Sequence, residues 1–166
     1  MKFLAIVFLL FFKFTFLTYA NEVVYIDMSY ILSNSNHGKS ILDELEKKNK
    51  NNIKELELKE KIIKDLEKNI SNQRNILSKN EFEKKINDLK TKVKVFRNDK
   101  DKLVKEFNNL KNNEIKNFMK NVEPLVSEYI KTNSINIVLD KKNVIIGKKD
   151  LDITYEILEV VNKNIK

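Results

Sequence analysis

From Phe82 to Leu110 the chain reads FEKKINDLKTKVKVFRNDKDKLVKEFNNL, and the apolar residues in this stretch decide the fold. Phe82, Ile86, Leu89, Val93, Phe96, Leu103, Phe107 and Leu110 are separated by steps of 4, 3, 4, 3, 7, 4 and 3. That is a heptad seam, the pattern of a helix packed along its length against another helix. The step of 7 skips Lys100, which takes one seam position. Outward from this stretch, Ser40 to Met119 contains neither proline nor glycine. Upstream, the apolar positions are Ile41, Leu45, Leu56, Ile63, Leu66, Ile70 and Leu77, the last five spaced by 7, 3, 4 and 7. Between the two runs Ser78 precedes Glu81 by three residues. That is a capping box, in which each side chain satisfies a free amide of the new helix. The spacing predicts two antiparallel helices with a break near residues 78–80, the first starting near Ser40 and the second running back to about Val122. At ~1.5 Å per residue such an arm reaches ~57 Å. Polar residues fill the seam at residues 48–52, a weak point where an arm can bend.

The flanks of this arm change style. VVYID at 23–27 is a short β-rich run. Ser29 is placed to cap a brief helical turn through Leu32, and the polar residues 33–38 then break the chain. Pro124 is the only proline. A helix tolerates proline in its first turn, so a break near residues 121–123 and a short helix over 124–131 are expected. INIVLD at 135–140 alternates, with Ile135, Ile137 and Leu139 on one face. Val144, Ile145, Ile146 and Gly147 read as the second strand of a β-hairpin. Asp150 or Asp152 then caps a last helix carrying Ile153, Ile157, Leu158 and Val161. The fold class is therefore α+β and mostly helical. A coiled-coil arm, residues 39–119, projects from a small β-sheet body made by both chain ends, residues 21–38 and 120–166. The body core is expected to use Val24, Ile26, Ile135, Ile137, Leu139 and Ile145. The arm seam is expected to use Leu56, Ile63, Leu66, Ile70, Leu77, Ile86, Leu89, Val93, Phe96, Leu103 and Phe107. A body of about 60 residues buries too small a share of its surface to be stable alone, so association between copies is expected.

Residues 1–20 read as a secretory signal peptide cut after Ala20. Lys2 is followed by an apolar run from Phe3 to Phe12, and Thr18 and Ala20 supply the small residues of a cleavage site. The alternative, an uncleaved membrane anchor, has a run shorter than the ~20 residues that span a bilayer, interrupted by Lys13. The chain has no cysteine, so export brings no disulfides.

The net charge of +8 is unevenly placed. Residues 39–119 hold 22 Lys/Arg against 15 Asp/Glu. The remainder of residues 21–166 holds 8 against 9. A cationic arm attracts anionic partners, an anionic lipid surface or acidic protein among them. Export, together with the absence of interleaved surface aromatics, argues against nucleic acid.

Nothing in the sequence resembles an active site, and no cofactor or metal is expected. His37, the only histidine, has neither cysteine nor a second histidine to join it as a ligand. Gly38-Lys39-Ser40 ends like a phosphate-binding loop, but Ser33 stands where that loop needs glycine. Asp43-Glu44 and the pair Asp99 and Asp101 read as solvated i,i+4 partners of nearby lysines. The expected function is binding, without enzymatic activity.

The order of these pieces resembles the Skp/OmpH family of periplasmic chaperones. The resemblance rests on Val24-Tyr25-Ile26-Asp27-Met28, on Asn136-Ile137-Val138-Leu139-Asp140 and on Asp152-Ile153-Thr154, and it covers essentially all of the chain after Ala20. It implies a homotrimer whose strands build a shared body and whose arms surround a cavity. It also implies ATP-independent capture of unfolded outer-membrane β-barrel proteins in the periplasm. Ile76 and Phe82 near the arm tip, with Lys84, Lys85 and Lys92, are candidate client contacts. Ile76, Leu77 and Phe82 serve equally well to lock the tip. A rival reading is a coiled coil that tethers or spaces envelope components without capturing unfolded chains.

Overall fold

The computed structural model describes residues 22–165, so the expected signal peptide lies outside the described residues. Strand β1 (Glu22–Ile26) leads into helix α1 (Met28–Asn34), helix α2 (Asn36–Asn72), helix α3 (Lys79–Thr132), strand β2 (Ile135–Asp140) and helix α4 (Thr154–Asn164). Helices α2 and α3 form the arm. The outer end of α3 with the short elements at both chain ends forms the body.

One apolar core holds the body together. Val24 and Ile26 of β1, Ile31 and Leu32 of α1, and Ile153, Ile157 and Val161 around α4 pack with Ile41 and Leu45 of α2 and Phe118 and Val122 of α3. The roots of the arm therefore belong to the body's core. Fully burying a side chain of this size contributes roughly 1.5–3 kcal/mol. Ten or so such residues are what anchor the arm.

The chain from β1 to α2 departs from the expected turn and break. Asp27, not Ser29, caps α1, accepting from the Tyr30 amide at 2.9 Å. No loop follows. Ser35 ends α1 and caps α2 at once, its hydroxyl accepting from the Gly38 amide at 3.1 Å. Gly38 is required here by contact. A Cβ on it would fall 1.9 Å from the Leu32 carbonyl oxygen. His37 therefore lies in the first turn of a helix, stacked on Phe118 with ring centroids 6.2 Å apart.

Three further expectations are corrected. Helix α3 runs unbroken through Pro124 to Thr132. Proline removes one intrahelical hydrogen bond, but Phe118 and Val122 are buried on one side of it and Leu125 and Val126 pack on the core on the other. Tertiary packing thus carries the helix across the gap. Second, β2 pairs with β1 in parallel, and residues 144–147 form no strand. After β2 the chain makes a 3-10 turn over Lys141–Asn143. Gly147 then lies against the Tyr25 ring, and the Tyr25 hydroxyl donates to the Lys148 carbonyl at 2.9 Å. Ile145 and Ile146 are left 99% and 92% exposed. Third, the β1–β2 register shifts between Glu22 and Val23, which skips Asn136. One extra residue in a strand swaps the faces beyond it. Ile135 and Val138 consequently pack on the core, while Ile137 and Leu139 face out.

Asp152 prepares the start of α4 without being its cap residue. Its carboxylate accepts from the Thr154 amide at 3.1 Å, from the Thr154 hydroxyl, and from Lys141 Nζ at 2.7 Å. The Thr154 hydroxyl in turn accepts from the Asp27 amide at 2.9 Å. This chain of bonds ties α4 to β1.

Candidate functional site: the arm and its flanks

At the arm tip, the Glu81 amide donates to the Ser78 hydroxyl, and Glu81 Oε2 accepts from the Ser78 amide at 3.1 Å. The expected capping box is present. The Ser78 hydroxyl also donates to Glu81 Oε2 at 2.6 Å, and that bond first, then the one from the Ser78 amide, holds the Glu81 carboxyl below its ordinary range. Leu77 is half-buried in the turn between the helices, and Ile76 beside it is exposed.

Along the arm the expected seam residues are half-buried, and Ile70 is buried. The two gaps of seven in the α2 seam are filled by Lys59 and Gln73. Lys59 Nζ lies 2.8 Å from Asp99 Oδ2, and Lys85 Nζ donates to Gln73 Oε1 at 2.6 Å. Polar side chains at seam positions thus meet across the two helices, which fixes their register. Asp99 is therefore not the i,i+4 partner expected of it, and it takes the inward place expected of Lys100, which is exposed. The Asp99 bond, and then that from Glu55, raises the Lys59 pKa. Lys85, a candidate client contact, is engaged within the hairpin instead. Lys84 and Lys92 are exposed, and Phe82 is half-buried.

At the polar stretch near the arm root, residues 46–51 all face solvent, and Asn52 alone is buried, at 8% exposure. The register set by Lys59 and Asp99 puts it level with Glu106 and Phe107. Helix α2 continues through this stretch without interruption.

The flanks of the arm carry side chains that heptad counting missed. Ile53, Leu58, Ile62, Val95 and Val104 are exposed aliphatic residues outside the seam. Isolated valines and isoleucines off the seam give no periodic signal, so only the three-dimensional register groups them. Ile62 and Val95, with Ile63 and Phe96 below them, line a groove of about 350 Å³ whose ends are Lys59, Asp99 and Lys92. A second groove toward the tip, also of about 350 Å³, is lined by Leu66, Ile70, Gln73 and Leu89 and shares Lys92. Among the described residues there is no cluster of side chains able to hold a metal ion, and no helix is long and apolar enough to cross a membrane.

Comparison with known proteins agrees with this architecture. The family described as outer membrane protein (OmpH-like) matches residues 22–161. The chain is similar in structure to an OmpH-like outer membrane chaperone from Caulobacter crescentus CB15, with a TM-score of 0.79 at 14% sequence identity. The similarity covers 87% of this chain and 86% of that one. No curated protein matches the chain.

Proposed function

The chain belongs to the OmpH-like family of outer membrane proteins, and from that premise we propose that it is an ATP-independent holdase of the periplasm. It binds unfolded outer-membrane β-barrel proteins and keeps them from aggregating. One observation carries the reading: the arm combines a cationic excess with aliphatic side chains exposed away from its seam. A coiled coil that only tethers or spaces has no use for exposed Leu58, Ile62 and Val95. An unfolded barrel precursor is amphipathic and must be shielded from its own strand edges. Several arms, each offering weak apolar and charged contacts, hold such a chain by effective concentration rather than by one tight pocket.

The reading includes assembly into a homotrimer through the body. Ile137 and Leu139 on the outer face of β2, and Ile145 and Ile146 on the loop clamped by Tyr25, support it as apolar surface that no described residue covers. A two-stranded sheet is also marginal by itself.

The test is to dilute a urea-unfolded outer-membrane β-barrel protein into buffer containing the protein, without nucleotide, and to follow light scattering. Scattering suppressed at about one trimer per client supports the holdase. Unchanged scattering over a range of such clients rules it out. Mass in solution tests the trimer separately, and Ile146→Asp is expected to shift it toward the monomer.

A further inference from the structure

The two apolar flanks of the arm are not equivalent. Nine residues separate Ile53 from Ile62, and nine separate Val95 from Val104. Nine residues at about 3.6 per turn end half a turn away, on the opposite side of each helix. The Lys59–Asp99 register sets Ile53 beside Val104 on one flank, and Ile62 and Val95 line the groove on the other. On this second flank both helices line a groove, which runs from Lys59 to Gln73 through two cavities that share Lys92, whereas a further cavity of the arm is lined by α3 residues alone, between Leu89 and Asn98.

We propose that this groove receives a single extended segment of the unfolded client, about six residues long, with apolar residues at alternate positions and an acidic residue opposite Lys92. The inference rests on the holdase reading and names what that arm recognises. Three observations lead to it. Fourteen residues of helix from Lys59 to Gln73 span about 21 Å, and an extended chain rising about 3.3 Å per residue covers that length with about six residues. Ile62, Leu66 and Ile70, which line the groove, lie one helical turn apart in succession, about 6 Å, close to the roughly 6.6 Å between alternate side chains of a strand. The third observation is charge. Across the two cavities the lining carries Lys59, Lys85 and Lys92 against Asp88 and Asp99, and among these Lys59 and Asp99 pair with each other. The groove keeps one positive charge in excess, which favours an occupant that carries an acid. A second copy of the arm brings the same cationic excess and is disfavoured as the occupant.

The test compares two double variants of the full protein in the scattering experiment. Ile62→Ser with Val95→Ser removes the groove flank, and Ile53→Ser with Val104→Ser removes the opposite flank. All four side chains are exposed, so both variants are expected to keep wild-type helix content, checked by circular dichroism. The groove variant is expected to need at least threefold more protein for half-suppression, the other to match wild type. Lys92→Glu is expected to weaken suppression with a client rich in acidic strands. A photo-crosslinker at position 69, in the groove lining, is expected to capture client segments with apolar residues at alternate positions. Equal loss in both double variants, loss in neither, or capture mainly of turn and loop segments overturns the proposal while leaving the holdase reading intact. Failure of the wild-type protein to suppress scattering removes both.

Discussion

Lys59 and Asp99 meet at 2.8 Å midway along the arm, at seam positions where a coiled coil usually places aliphatic side chains. Both are more than a third exposed, and Glu55 shares Lys59 at 2.9 Å. A pair so placed contributes more to alignment than to stability. Replacing both by leucine is expected to raise the melting temperature, because two aliphatic side chains then complete the seam. Lys59→Leu alone is expected to lower it, since Asp99 loses its partner. Thermal melts followed by circular dichroism check both. A double variant less stable than the single one contradicts this account.

Gly38 predicts a different kind of failure. Its position against the Leu32 carbonyl leaves no room for a methyl group. Gly38→Ala is expected to destabilise the body by about 1–3 kcal/mol through overpacking, even though alanine is the better helix former. Urea unfolding monitored by tyrosine fluorescence near Tyr25 and Tyr30 measures it. A gain in stability means that the α1–α2 junction yields more readily than the contact implies.

Pro124 interrupts the hydrogen bonding of α3 without ending it. Pro124→Ala restores one amide donor in a helix that already continues past the site. The expected gain is about 1–3 kcal/mol. An unchanged midpoint in chemical denaturation indicates that proline's stiffening of the unfolded chain offsets the lost bond.

Acid is expected to loosen the body through Asp152. Burial by itself pushes this carboxyl up, but Lys141 and the Thr154 hydroxyl and amide together outweigh it and hold the pKa below the usual carboxylate value. Lys142 lowers Asp140 in the same way. A carboxyl lowered in the folded state contributes stability that is present above its unfolded pKa, about 4, and lost as pH falls through the folded value. The melting temperature should therefore hold from neutral pH to about 5 and decline below about 4. Asp152→Asn should start lower at neutral pH and decline less steeply. Melts across that range decide it, and parallel acid limbs for variant and wild type assign the loss to other groups.

The parts of the fold that were legible in the sequence are those in which one residue type repeats at a fixed interval. Leu56, Ile63, Leu66 and Ile70 announced the hairpin, and Ser78 with Glu81 announced its turn. Lys59 and Gln73 fill the gaps of that series but are polar, so counting apolar residues passes over them. Alternation in residues 135–140 predicted Ile135 correctly but the wrong inner face beyond it, because the register shift at Asn136 is set by β1, more than a hundred residues upstream. Residues 144–147 look like a strand by composition, but a strand needs a partner edge, and Tyr25 fixes this segment elsewhere. Pro124 signals a break locally and is overruled by Phe118 and Val122, whose burial is a property of the whole body. The grooved flank was illegible for the same reason: Ile62 and Val95 belong together only once the two helices are aligned.

The parallel pairing of β1 with β2 also sets an order of assembly. Asp27 and Thr154 are hydrogen-bonded although they stand 127 positions apart in the chain, a separation at which closing a flexible loop is slow. The arm removes that obstacle. Zipping α2 against α3 from the tip consumes the intervening chain and delivers both ends of the body to one place. The body is therefore expected to form last. A chain emerging from its amino end keeps β1 waiting, unpaired, until nearly all of the protein has arrived.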